Sequence, residues 1–187
     1  MKKCFIYGLI VSLVLTGLLG IWALLEGNFD ELHIRILLTT FTFTVYSIIG
    51  LCCNAIVDSK YSIFGKIGLG VTIIGLLYAI FTTWVTPDSF KFLKFRFSLL
   101  TISLCFAHCS LMLLVSTYTS LIKFFRATSL STSILAAVTI VSIISTLDPN
   151  IESFKLLGVI SIVCVTSTII TPILAFATKR SNVSKEI

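Results

Sequence analysis

Cys105, His108, Cys109 and Met112 stand at i, i+3, i+4 and i+7 of one apolar run, so in a helix their side chains share a face. Thiolate, imidazole and thioether form a soft ligand set that suits Cu(I), or zinc without the methionine. His108 alone could serve as an axial haem ligand. It lies near the middle of its run, and an ionisable group at that depth of a bilayer is a functional candidate by default. A second histidine for a bis-imidazole haem is poorly placed, because His33 falls at the other end of a different run. Free cysteine packs as a small hydrophobe and methionine as ordinary filler, while a neutral histidine can hydrogen-bond a neighbouring helix. The preferred reading is therefore a packed histidine with no cofactor expected, and copper or haem as the alternatives.

Two further constellations carry chemistry. Thr40, Thr44, Ser47 and Asn54 lie near one face of an earlier run that ends at Asp58. Hydroxyls satisfy themselves on the preceding turn, whereas the Asn54 amide needs a partner in an apolar bundle. Asn54 and Asp58 are the candidates for a polar pathway, although an interhelical hydrogen bond is the plainer role for Asn54. Gly65, Gly68, Thr72, Gly75 and Ala79 recur at heptad spacing, a small-residue stripe along which a neighbouring backbone can approach closely. That stripe predicts helix packing.

These residues must be positioned by long apolar elements. The chain has 187 residues, of which 57% are hydrophobic and 12% charged, with a mean hydropathy of +1.08. A soluble domain carries about 25% charged residues. Crossing a hydrocarbon core of about 30 Å takes roughly 20 apolar helical residues. Six candidate spans follow, at 5–25, 33–57, 62–85, 97–122, 130–147 and 155–178, with 179–187 as a short cytoplasmic tail. Stretches such as Leu9 to Leu15 and Ile67 to Ile80 lack the two-residue alternation of a barrel strand. The predicted fold is all-α: a polytopic integral membrane protein, one compact domain of six transmembrane helices.

The first run follows Met1-Lys2-Lys3 but is too long for a signal-peptide core and lacks a small-x-small cleavage site, so it reads as a retained signal anchor. The segment from Thr86 to Arg96 mixes Phe90, Phe92, Leu93 and Phe95 with Lys91, Lys94 and Arg96, and is expected to lie in the membrane interface. Pro172 predicts a kink in the last span.

Charge sets the expected orientation. An inside N-terminus places Lys2, Lys3, Lys60, Lys66, Lys123, Arg126, Lys179, Arg180 and Lys185 on one side, and Arg35, Lys91, Lys94, Arg96 and Lys155 on the other. The Lys/Arg excess marks the cytoplasmic side, so both termini are expected there. Asn182-Val183-Ser184, a glycosylation pattern, then lies in the cytoplasm. The net charge of +6 reflects this bias and contact with anionic headgroups; no basic stretch carries nucleic-acid recognition residues. The expected setting is a plasma membrane, with short loops and the absence of eukaryotic sorting signals pointing to a prokaryote.

No Cys-x-x-Cys, Gly-rich phosphate loop, His-Glu-x-x-His, nucleophile elbow or arginine-rich voltage sensor occurs, and no carboxylate lies mid-span. No cysteine falls in an expected external loop. Enzymatic activity is therefore not expected. The leading expectation is an accessory or scaffold bundle that packs with itself or a membrane-protein partner. The alternatives are a small transporter or channel lined by Ser/Thr/Asn faces, and a copper- or haem-binding redox protein centred on His108.

Overall fold

The computed structural model describes residues 31–85, 90–115, 119–146 and 151–183, together with Tyr7, Ile10, Val11, Val14, Leu15, Gly17, Leu18, Ile21 and Trp22. Helix α1 runs Glu31–Asn54, α2 Ser62–Trp84, α3 Phe90–Leu114, α4 Ser120–Thr146 and α5 Ile151–Val183. Among the described residues there are no strands, and five helices are long and apolar enough to cross a membrane. The expected span 5–25 lies outside the described residues, apart from the nine side chains just named.

Side chains are distributed inside out. Polar residues such as Thr42, Ser103, Ser129 and Thr171 are buried, as are Ile49, Cys53 and Ile122, while large hydrophobics such as Ile63, Phe90 and Phe176 are exposed. In water those exposed side chains would forfeit roughly 25 cal/mol for each Å² left uncovered. In a bilayer they lose nothing.

Two boundaries differ from the sequence expectation. The span expected at 97–122 is instead α3 at Phe90–Leu114, so residues 90–96 of the segment expected to lie in the interface form its first turns. Lys and Arg are good helix formers, and no Gly or Pro stands between Phe90 and Ser98 to stop the helix. The span expected at 130–147 starts ten residues earlier, at Ser120, so Lys123 and Arg126 are helical. Thr119 precedes this helix and its hydroxyl accepts a long hydrogen bond from Ile122 N–H, 3.5 Å. The Arg126 guanidinium donates to the Val115 carbonyl just past the end of α3, 3.3 Å, where a cation suits the helix dipole. Helix α5 continues through Pro172, which has no N–H to give the Thr168 carbonyl.

The chain divides into two units, 1–107 and 108–187, with the boundary inside α3. In the first unit α1 and α2 form a tightly packed hairpin; in the second α4 and α5 do. The first hairpin closes through a turn at residues 55–61, in which the Ser59 hydroxyl donates to the Ile56 carbonyl and accepts from Tyr61 N–H.

Candidate functional site

The buried residues of α2 are Gly65, Gly68, Thr72, Gly75 and Ala79. A Cβ on Gly65 would lie 2.9 Å from the Cys53 carbonyl oxygen, one on Gly68 3.0 Å from Cys53 Sγ, and one on Gly75 2.7 Å from the Tyr46 ring. Thr72 donates to the Gly68 carbonyl and so enters the contact without an unpaired proton. Along this stripe the backbones of α1 and α2 approach within glycine distance.

Asn54 is buried at the last position of α1, and its Nδ2 has no hydrogen-bond partner among the described residues. Asp58 lies in the following turn and is exposed. The two therefore differ in environment, although they are separated by only one helical turn of sequence.

Toward the other end of the hairpin the polar contacts join three helices. Glu31 pairs with Arg35 at 2.6 Å, and Arg35 also donates to the Trp84 carbonyl at 3.3 Å. Trp84 Nε1 donates to the Thr39 hydroxyl at 3.1 Å. Further along α1, Arg96 of α3 donates through one terminal nitrogen to Thr42 and through the other to Thr83 of α2, each at 3.1 Å. Tyr46 follows Thr42 by one turn. Its hydroxyl has no partner among the described residues.

In the second unit, His108 Nε2 lies 2.9 Å from the Thr168 hydroxyl, which lies 3.0 Å from the Ser129 hydroxyl. Thr168 gives its single proton to the Cys164 carbonyl at 2.7 Å. Its oxygen then accepts from Ser129 O–H and from the N–H of an Nε2-protonated His108, the arrangement in which all three contacts are satisfied. His108 Nδ1 is buried and has no partner among the described residues.

The other members of the proposed ligand face are all on α3: Cys109 and Met112 are buried, and Cys105 is half-buried. Among the described residues no three His, Cys, Asp or Glu side chains converge as a metal ligand group. One helix face supplies ligands side by side, and closing a coordination sphere needs a facing element. The residue found facing His108 is a threonine. Cys52, Cys53, Cys105, Cys109 and Cys164 form no disulfide.

No protein-family model matches the chain, and neither a curated protein nor a solved structure matches it. The geometry therefore stands alone.

Two groups escaped the sequence reading. Arg96 was expected in a loop, so its contacts with Thr42 and Thr83 were not foreseen; the unbroken helical pattern before Ser98 was the available signal. Ser129 and Thr168 are ordinary hydroxyl residues in Ser/Thr-rich runs, and nothing in their local sequence distinguishes them from their neighbours.

Proposed function

We propose that the chain is a six-span protein of the plasma membrane, both termini cytoplasmic, that acts without catalysis as an accessory or scaffold bundle. It does so by packing with a second copy or with another membrane protein, in a prokaryotic cell. The inside-out distribution of side chains supports the membrane setting, and the Lys/Arg excess in the connections supports the orientation.

The scaffold reading is carried by α4. Across its 27 residues only Ile122 and Ser129 are buried. Its exposed positions include Ala127, Ser131, Ile134, Val138, Ser142 and Ser145, which recur at three- and four-residue spacing and so line one face. Small and hydroxyl residues offer little to acyl chains, but they let another helix approach closely. A chain carrying cysteine only at Ser131 or Ser142 is expected to give a disulfide-linked dimer, or an adduct with one partner, on oxidation in native membranes. Ser131→Leu is expected to abolish the native oligomer or complex on blue-native gels. Only uncrosslinked monomers, unchanged by Ser131→Leu, would overturn the reading.

A small transporter or channel is the second reading, favoured by the buried Asn54 Nδ2 and the Ser103 and Ser110 hydroxyls, which lack partners among the described residues. Groups of this kind are completed by water or a polar solute. Solute flux in proteoliposomes, lost in Asn54→Leu with the fold retained, is its expected signature. Absence of flux across ions, sugars and amino acids would end it.

A further inference from the structure

We infer that the end of the second unit where α4 begins and α5 finishes is a docking surface for anionic phospholipid headgroups, formed by Lys123, Arg126, Lys179 and Arg180. Hydrogen bonds deep in the unit set the levels. The Thr168 hydroxyl of α5 lies 2.9 Å from His108 Nε2 of α3 and 3.0 Å from the Ser129 hydroxyl of α4. From that level α4 reaches back nine residues to Ser120, and α5 runs on fifteen residues to Val183. At about 1.5 Å per residue, α5 extends roughly 9 Å past the start of α4. Its apolar stretch ends at Thr178, and Lys179 and Arg180 follow within the same helix. On α4, Arg126 and Lys123 stand roughly 5 and 9 Å from the Ser129 level. Lys123 is exposed, whereas Arg126 is half-buried and gives one N–H to the Val115 carbonyl. The cations therefore step outward from the apolar layer, as basic residues do at helix ends that reach the headgroups.

Charge balance separates this end from the turn that closes the first hairpin. Between His108 and Val183 the only acids are Asp148 and Glu152, which belong to the α4–α5 connection and the first turn of α5, at the opposite end of that hairpin. The tail beyond Val183 adds Lys185 and Glu186, which offset each other. Four positive charges remain. The turn at 55–61 instead sets Asp58 against Lys60 and the exposed Lys66 of α2, and the Lys60 ammonium lies 5.0 Å from the centre of the Tyr61 ring. Its surplus is a single charge. The Lys/Arg excess is therefore uneven between these two ends. Clusters of four or more cations beside a membrane helix attract anionic lipid.

The leaflet supplies the occupant. Under the orientation proposed above this surface faces the cytoplasm, where the headgroups of anionic lipids carry the surface charge. The assignment rests on that orientation, which Ser181→Cys tests separately. A membrane-impermeant maleimide should label this cysteine only in opened cells, and labelling of intact cells would reverse the orientation without touching the lipid preference of the purified protein.

The test is thermal unfolding of the full chain in detergent micelles, titrated with phosphatidylglycerol, phosphatidylcholine or inorganic phosphate. Phosphatidylglycerol is expected to raise the melting temperature by at least about 3 °C more than phosphatidylcholine in low salt. Salt at about 0.5 M should remove most of that difference, because the screening length then falls well below 10 Å. Lys123→Gln, Lys179→Gln and Arg180→Gln combined should lose most of it too, whereas Lys60→Gln with Lys66→Gln, on the same side of the membrane, should keep it. Should the triple variant fail to fold, the salt dependence of the wild type and the response of the Lys60 and Lys66 double variant decide. Equal responses to both lipids, a difference that salt leaves intact, or loss of the difference in the double variant would overturn the proposal. So would an equal rise with inorganic phosphate, which would make dissolved anion the occupant.

Discussion

Gly65→Val is expected to destabilise the protein by about 3 kcal/mol, near the upper end for overpacked sites. A Cβ at this position would meet the Cys53 carbonyl oxygen at 2.9 Å, Ile56 Cγ1 at 3.0 Å and Val57 Cγ2 at 3.1 Å. The first of these is backbone, fixed in the last turn of α1, and cannot rotate aside. Relief requires the two helices to separate, which would loosen every contact along the stripe. Gly70 supplies the control, because nothing lies within 4 Å of its Cβ position. Gly70→Ala should therefore be neutral or stabilise by roughly 0.5–1 kcal/mol, through the lower backbone entropy of alanine. Reversible unfolding in mixed micelles, followed by tryptophan fluorescence, measures both. Equal stability of Gly65→Val and Gly70→Ala would refute the close helix contact.

Thr168→Val is expected to cost about 1–3 kcal/mol although it hardly changes side-chain shape. The hydroxyl is within hydrogen-bond distance of both His108 Nε2 and the Ser129 hydroxyl, so its removal takes a partner from two polar groups at once. Thr168→Ser should keep most of the stability, since it retains the oxygen. A cycle pairing Thr168→Val with His108→Leu should show a coupling of about 0.6–1.7 kcal/mol, in the range measured for hydrogen bonds between membrane helices. Additive effects would mean that the two side chains are neighbours without a bond. Nitrogen-15 shifts of the imidazole provide an independent reading, with protonated Nε2 and bare Nδ1 expected.

Five of the six expected spans have a described helix, and these were legible in the sequence because membrane helices are written in uninterrupted hydrophobicity. The positions of Gly65, Gly68, Thr72, Gly75 and Ala79 could be read as one face because their period matches that of two packed helices. Boundaries were harder. Lys91, Lys94 and Arg96 looked like the end of a hydrophobic run, but charge does not stop a helix, and α3 begins before them. For the same reason Lys123 and Arg126 were assigned to a connection although α4 contains both. The polar contacts were least legible. His108 declared itself by residue type, but its partner is Thr168, sixty positions along the chain, and local sequence carries no mark of such pairing. Arg96 was visible as a charge, but its partners on two other helices were not.

The turn at 55–61 also dictates a timetable. Cys53, Ile56 and Val57 meet Gly65 across only a dozen residues or fewer of chain, and contacts this local form early because little loop entropy opposes them. As the polypeptide leaves the ribosome, the α1–α2 hairpin can zip from this turn outward once Trp84 has emerged. Thr42 and Thr83, at the far end of the zipper, come together last. Arg96 is synthesised later still and meets both hydroxyls already in place, so the third helix docks onto a prepared surface.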